Sequence, residues 1–161
     1  MFTDPFGLCP KPPCFRVEGS EGFRRDWQSL VDASSRLAAL VNEASASDKP
    51  EFVLRATDVS SLGTHGTPGG HTDFYNQQGK LVEPGPGVQL GRIDAQVSLT
   101  DLANPQTREV IRSLGGVPTV GNAMVHEFAH GILGVQGYKS TDAQVRKVEC
   151  AVMKEVPGGR C

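Results

Sequence analysis

Residues 126 to 130 read His-Glu-Phe-Ala-His, within the apolar stretch Met124-Val125-His126-Glu127-Phe128-Ala129-His130-Gly131-Ile132-Leu133. A helix turns about 100° per residue, so two histidines four apart stack on one face. There they can offer two imidazole nitrogens to a single zinc ion. Glu127 follows the first histidine, beside the metal, where it can take the proton from an attacking water. The chain holds only four histidines in 161 residues, and chance rarely places two of so few at this spacing around a glutamate. The competing reading is a pair of core histidines satisfied by backbone carbonyls. Burying both with a glutamate between them and no cation would leave several polar groups in need of partners, at kcal/mol cost. Metal binding explains the pattern better.

Two histidines and a base need a third protein ligand, with the fourth position left open. A longer pattern would place Gly three and His six residues after the second histidine. Leu133 and Gln136 stand there instead, which excludes the metzincin continuation. The next acidic candidates are Asp142, Glu149 and Glu155. Ser140-Thr141-Asp142-Ala143-Gln144 carries a capping box, Thr141 with Gln144 three residues on. The helix it opens runs through Val145, Val148, Ala151, Val152 and Val156, an apolar stripe at helical spacing. Glu149 lies within that stripe, where a carboxylate is costly unless a cation meets it. Asp142 is the rival ligand, though helix capping already accounts for it. Glu155 falls about 240° around the helix from Glu149 and reads as a solvated charge.

The H-E-x-x-H helix followed by Glu149 on a second helix resembles the gluzincins, in which that Glu completes the zinc site. The match spans roughly a quarter of the chain. Asp142 stands near the place of the ligand in aspzincins, but Ser-Thr-Asp-Ala-Gln-Val lacks their Gly-Thr-x-Asp-x-x-Tyr-Gly context. The segment Val148-Glu149-Cys150-Ala151-Val152-Met153-Lys154-Glu155, followed by Arg160, resembles the Glu-x-Ala-Val helix of small metallopeptidase toxin domains from bacterial polymorphic toxins and secreted effectors. Those domains carry an Asn before the closing Arg, where this chain has Val156-Pro157-Gly158-Gly159. At the other end, Asp4-Pro5-Phe6-Gly7-Leu8 is similar to the Asp-Pro-x-Gly-Leu motif that closes the core of Rhs-repeat proteins. There the chain cuts itself after Leu to free a toxin, so the resemblance implies autoprocessing roles for Asp4, Pro5, Gly7 and Leu8. It also implies a mature domain starting near Cys9, with Met1 an added start.

These resemblances imply an α+β, zincin-like fold, a small β-sheet packed on helices that include the H-E-x-x-H helix. Residues 1–16 would be a cleavage-site remnant and Pro-rich linker, and 17–161 the metallopeptidase domain. A length of 161 residues suits one such domain. The formal charge is −2 with scattered basic residues, so nothing points to nucleic acid or to a membrane surface. No apolar run reaches the ~18 residues of a membrane span, and no signal-peptide pattern is present. A domain delivered into a target cell by a carrier would need neither.

Positioning these residues requires several elements. Residues 20 to 46 read as one long amphipathic helix with Phe23, Trp27, Leu30, Val31, Leu37, Leu40 and Val41 inward. Residues 9 to 16 read as an extended linker. Glu51 to Thr57 reads as a strand, 59 to 72 as a loop holding His65 and His71, and 73–76 with 80–82 as a hairpin. Val88 to Leu99 supplies one or two further strands. Asn104-Pro105 opens a short helix, Thr119 or Asn122 caps the His helix, and Gly134 or Gly137 stops it.

The expected chemistry is hydrolysis of a peptide bond in a target-cell protein. His126, His130 and Glu149 would hold Zn2+, and Glu127 would move the proton from water to the leaving amine. Candidate donors to the developing oxyanion are Tyr138, His65 and His71. The alternatives are an aspzincin-type peptidase using Asp142, an inactive zinc-binding module that acts by protein binding, or a peptidoglycan hydrolase. The expected partners are the protein substrate, a cognate immunity protein and the Rhs carrier before release. The expected site of action is the target-cell cytoplasm. Cys9, Cys14, Cys150 and Cys161 can pair in three ways or form a Cys₄ metal site.

Overall fold

The computed structural model describes residue 9 and residues 11–161; the Asp4-Pro5-Phe6-Gly7-Leu8 motif lies outside them. The elements in chain order are β1 (Phe15–Glu18), α1 (Glu21–Ala33), α2 (Ser35–Ser45), β2 (Glu51–Thr57), α3 (Ser61–His65), β3 (Gly70–Asn76), β4 (Leu81–Val82), β5 (Leu90–Ser98), α4 (Leu99–Ala103), α5 (Pro105–Ser113), α6 (Val120–Val135) and α7 (Asp142–Met153). The fold class is mixed α+β. Its one sheet runs β1-β2-β5-β3-β4, with β1, β2 and β5 parallel and β3 antiparallel to both of its neighbours. No helix among the described residues is long and apolar enough to cross a membrane.

Helix α6 is the centre of the core. Met124, Val125, Phe128 and Ile132 are buried against Phe52, Leu54, Ile93, Ala95 and Val97 of the sheet. The helix is able to lie this close because a Cβ at Gly131 would run into the Phe52 ring, and one at Gly134 into the Phe74 ring. Phe52 and Phe128 stack, and Phe15 meets both rings edge-on with centroids 4.9 and 5.1 Å away. Such ring pairs add to the burial that holds helix and sheet together, so truncating either phenylalanine should cost about 3–5 kcal/mol.

Several expectations change. The helix read over 20–46 is broken at Ser34, whose side chain caps α2 by accepting from the Leu37 amide. Ser34 Oγ also donates to Glu155 Oε1 at 2.6 Å, and the same carboxylate accepts from the Arg36 amide at 3.1 Å. Glu155 is therefore not a free solvated charge. The Ser34 hydroxyl and the Arg36 amide hold its carboxyl below the ordinary range, and it ties the start of α2 to the end of α7. The expected linker also ends earlier. Cys14 is buried, its carbonyl accepts from the Phe52 amide, and Phe15 and Arg16 already belong to β1.

The cysteines pair as Cys9–Cys14 and Cys150–Cys161, so no Cys₄ site forms. The hairpin, the strand at 51–57, the Pro105 helix start and the Thr141–Gln144 capping box stand as read. The loop expected over 59–72 contains the one-turn helix α3 and the first residues of β3.

Candidate metal centre

Thr119 caps α6 through the Asn122 amide, and the helix then carries His126 and His130 to the wall of a cleft of about 390 Å³. Their side chains are 20% and 21% exposed. His126 Nδ1 lies 2.8 Å from Glu149 Oε1. An ionised carboxylate can only accept, so Nδ1 carries the hydrogen and Nε2 keeps its lone pair. His130 Nδ1 is engaged by Ser140 Oγ at 2.9 Å, and its Nε2 is 3.5 Å from Asp142 Oδ1. Each histidine thus has its Nδ1 engaged from behind, and His130 Nε2 faces Asp142.

His126, His130 and Asp142 form a group whose ligand atoms all lie within 4.8 Å of one another and could hold a metal ion. That donor set of two imidazoles and a carboxylate suits zinc and related divalent ions. Glu149 stands outside this group. It is 3% exposed, as its place in the apolar stripe requires, and its charge is met by His126 and by Asn122, whose Nδ2 donates to Oε2 at 2.8 Å. Asn122 is the cap candidate that turned inward. Its Oδ1 accepts from Thr119 Oγ1, and its Nδ2 also reaches the Arg160 carbonyl. The Cys150–Cys161 disulfide ties the tail carrying that carbonyl to α7.

Glu127 is 6% exposed and lines the same cleft. Burial drives its carboxyl up to about 7, against the opposing pull of the His126 charge and of a hydrogen bond from Thr72 Oγ1 at 2.9 Å. Burial and the His126 charge push His130 down to about 4. Burial also lowers His126, but the Glu149 hydrogen bond and the charges of Glu127 and Glu149 outweigh it, and the net direction is up. Burial thus favours a neutral imidazole at His130 and raises the Glu127 carboxyl toward neutrality within one cleft.

Three contributors escaped the sequence reading. Thr72 on β3 holds Glu127, Ser140 orients His130, and Gly70 gives Glu127 room, since a Cβ there would sit 2.8 Å from Glu127 Cγ. Only Gly70 carried a signal, as a glycine beside a strand start. Among the candidate donors, His65 and His71 line the cleft, whereas Tyr138 is 56% exposed on the turn after α6 and does not. Tyr138 falls where the Gly137 turn, at φ 88°, leads the chain away from the helix.

Compared with family models, curated proteins and solved structures, the chain gives no match.

Proposed function

We propose that the chain is a zinc-dependent endopeptidase of zincin-like design, acting as a toxin or effector on proteins of a target cell. The observation that carries this reading is the convergence of His126, His130 and Asp142 on one point, with the buried carboxyl of Glu127 beside them in one cleft. Zinc held there would polarise both the attacking water and the scissile carbonyl. Glu127 takes the proton from that water, with Thr72 holding the carboxyl in line, and delivers it to the leaving amine. His126 and His130 present Nε2, because Glu149 and Ser140 fix their other nitrogens.

A peptide substrate is favoured by strand β3. Residues 70–73 are paired to β5 on one side, while β4 pairs only with Phe74 and Tyr75 on the other. Gly70, His71 and Thr72 border the cleft, so this free edge can receive an extended chain by main-chain hydrogen bonds.

The third ligand has two readings. The grouping of ligand atoms favours Asp142, with Glu149 as the residue that orients His126. The buried apolar setting of Glu149 favours a direct role only if its side chain leaves His126. Zinc per chain, measured by elemental mass spectrometry on wild type, Asp142→Ala and Glu149→Ala, separates them. Loss of zinc with Asp142→Ala and retention with Glu149→Ala supports the first reading, and the reverse supports the second. No zinc in the wild type after reconstitution would end both.

Release from an Rhs-type carrier and a cognate immunity protein rest on the Asp4–Leu8 motif and the Glu149 helix in sequence. Fluorescent protein and peptidoglycan substrates offered in parallel test the substrate class. Cleavage of the protein substrate, lost in Glu127→Ala while zinc is retained, is the expected result. Unchanged toxicity in Glu127→Ala would favour the binding-module alternative.

A further inference from the structure

A second group of side chains that could hold a metal ion lies on β3 and α3, at the border of the same cleft. Alternate residues of a strand point to opposite faces. Gly70 and Thr72 turn toward Glu127, so His71 and Asp73 turn away from it. His65, at the last position of α3, comes to meet them. The two imidazoles stack with centroids 3.6 Å apart. His71 Nε2 lies 2.9 Å from Asp73 Oδ1, and His65 Nε2 lies 4.0 Å from Asp73 Oδ2.

The hydrogen bonds around His65 decide its tautomer. Thr64 Oγ1 is 2.9 Å from the Ser60 carbonyl and 2.8 Å from His65 Nδ1. A hydroxyl has one proton, and a carbonyl can only accept, so both bonds form only if Thr64 donates to Ser60 and His65 Nδ1–H donates to Thr64. Nε2 of a neutral His65 then aims a lone pair at a carboxylate, acceptor facing acceptor. A divalent cation held here would accept the His65 and His71 imidazole lone pairs and the Asp73 carboxylate once the rings turn out of their parallel stack, with His71 in the tautomer that keeps its proton on Nδ1.

The spacing also fits. With bonds of about 2.0–2.2 Å, a tetrahedral zinc separates its ligand atoms by about 3.3–3.6 Å, between the observed 2.9 and 4.0 Å. All three residues offer ligand atoms within 4.8 Å of one another. Asp94 sits opposite Asp73 in the β3–β5 register, adding negative charge, though Arg55 and Gln96 already hold its oxygens.

We infer that His65, His71 and Asp73 form a second site for a zinc-class divalent ion, separate from the His126–His130 centre, which staples α3 to β3 and fixes the wall of the cleft. Its ligands come from a one-turn helix and a strand, and the His65 and His71 side chains are 29% and 30% exposed. Bulk water therefore competes for the ion.

The test uses zinc alone and does not depend on the peptidase reading. His126→Ala/His130→Ala removes the first centre. This double variant, titrated with zinc by calorimetry and checked for folding by circular dichroism, should bind one equivalent and melt at a higher temperature with zinc than without. Adding His71→Ala, or separately the near-isosteric Asp73→Asn, should abolish both effects while leaving the zinc-free melt in place. The inference is overturned if the double variant binds no zinc, or if its bound equivalent survives both further substitutions.

Discussion

The two histidine pairs line one cleft but are built differently. His126 and His130 stand four apart on a sixteen-residue helix buried against the sheet, so their relative placement is set by the helix itself. His65 and His71 meet across a turn, and only the fold brings them together. The first group has a buried carboxyl beside it, Glu127, and a buried orienting carboxylate, Glu149. The second has the buried Asp94 opposite Asp73, but Arg55 and Gln96 already hold its oxygens. A buried carboxyl that lines the cleft beside the first group could act on a ligand there, whereas the one beside the second is tied up by Arg55 and Gln96.

The sharpest way to break that contrast is at the base. Glu127→Gln should lower the rate of protein cleavage by about 10²–10⁴-fold while zinc content stays unchanged. Loss of zinc along with activity would give Glu127 a role in binding instead. The orienting carboxylate comes next. Glu149→Gln should weaken zinc binding by about 10–100-fold, measured by competition with a chelator, and Asp142→Ala should cost more. The reverse order would place Glu149 among the direct ligands.

Gly70 tests how tightly β3 supports the base. An alanine Cβ would lie 2.5 Å from the Gln96 carbonyl oxygen and 2.8 Å from Glu127 Cγ. Gly70→Ala should cost about 1–3 kcal/mol of stability and depress cleavage beyond what lost folding explains. Equal rates per folded molecule would count against β3 as a support for Glu127.

A pH series on metal-free protein separates two opposing contributions. Glu127 is raised to about 7 from 4.5, so across that window the native state keeps a proton that the unfolded state has released. Stability from this residue is present below about 4.5 and falls as pH rises to about 7, by on the order of 1–3 kcal/mol. His130 is lowered to about 4 from 6.5, so its contribution is full above 6.5 and is lost as pH falls toward 4. Glu127→Gln should therefore be more stable than wild type at pH 8, and its denaturant midpoint should drop more steeply below pH 6.5. Parallel curves for the two proteins would mean that Glu127 titrates normally.

The last test concerns the second group. Zinc at about 100 times its dissociation constant adds roughly 2.7 kcal/mol to a protein with one site. Removal of His71 from the His126→Ala/His130→Ala protein should erase a rise of several degrees in the melting temperature.

The sequence, without coordinates, determined what the backbone period alone determines. The i, i+4 histidines, the Thr141–Gln144 capping box, the Pro105 helix start and the burial of Glu149 follow from local spacing, and each is present in the structure. The break at Ser34 had a local trace, the gap in the apolar stripe between Val31 and Leu37, but an unbroken helix fits the same residues. The decisive partner of Ser34, Glu155, is 121 positions away. Tertiary structure alone decided where Glu149 points, that Thr72 and Ser140 serve the site, and that His65 meets His71. Helical and strand periods place residues that are neighbours along one element, whereas contacts between elements depend on how the sheet, α6 and α7 pack.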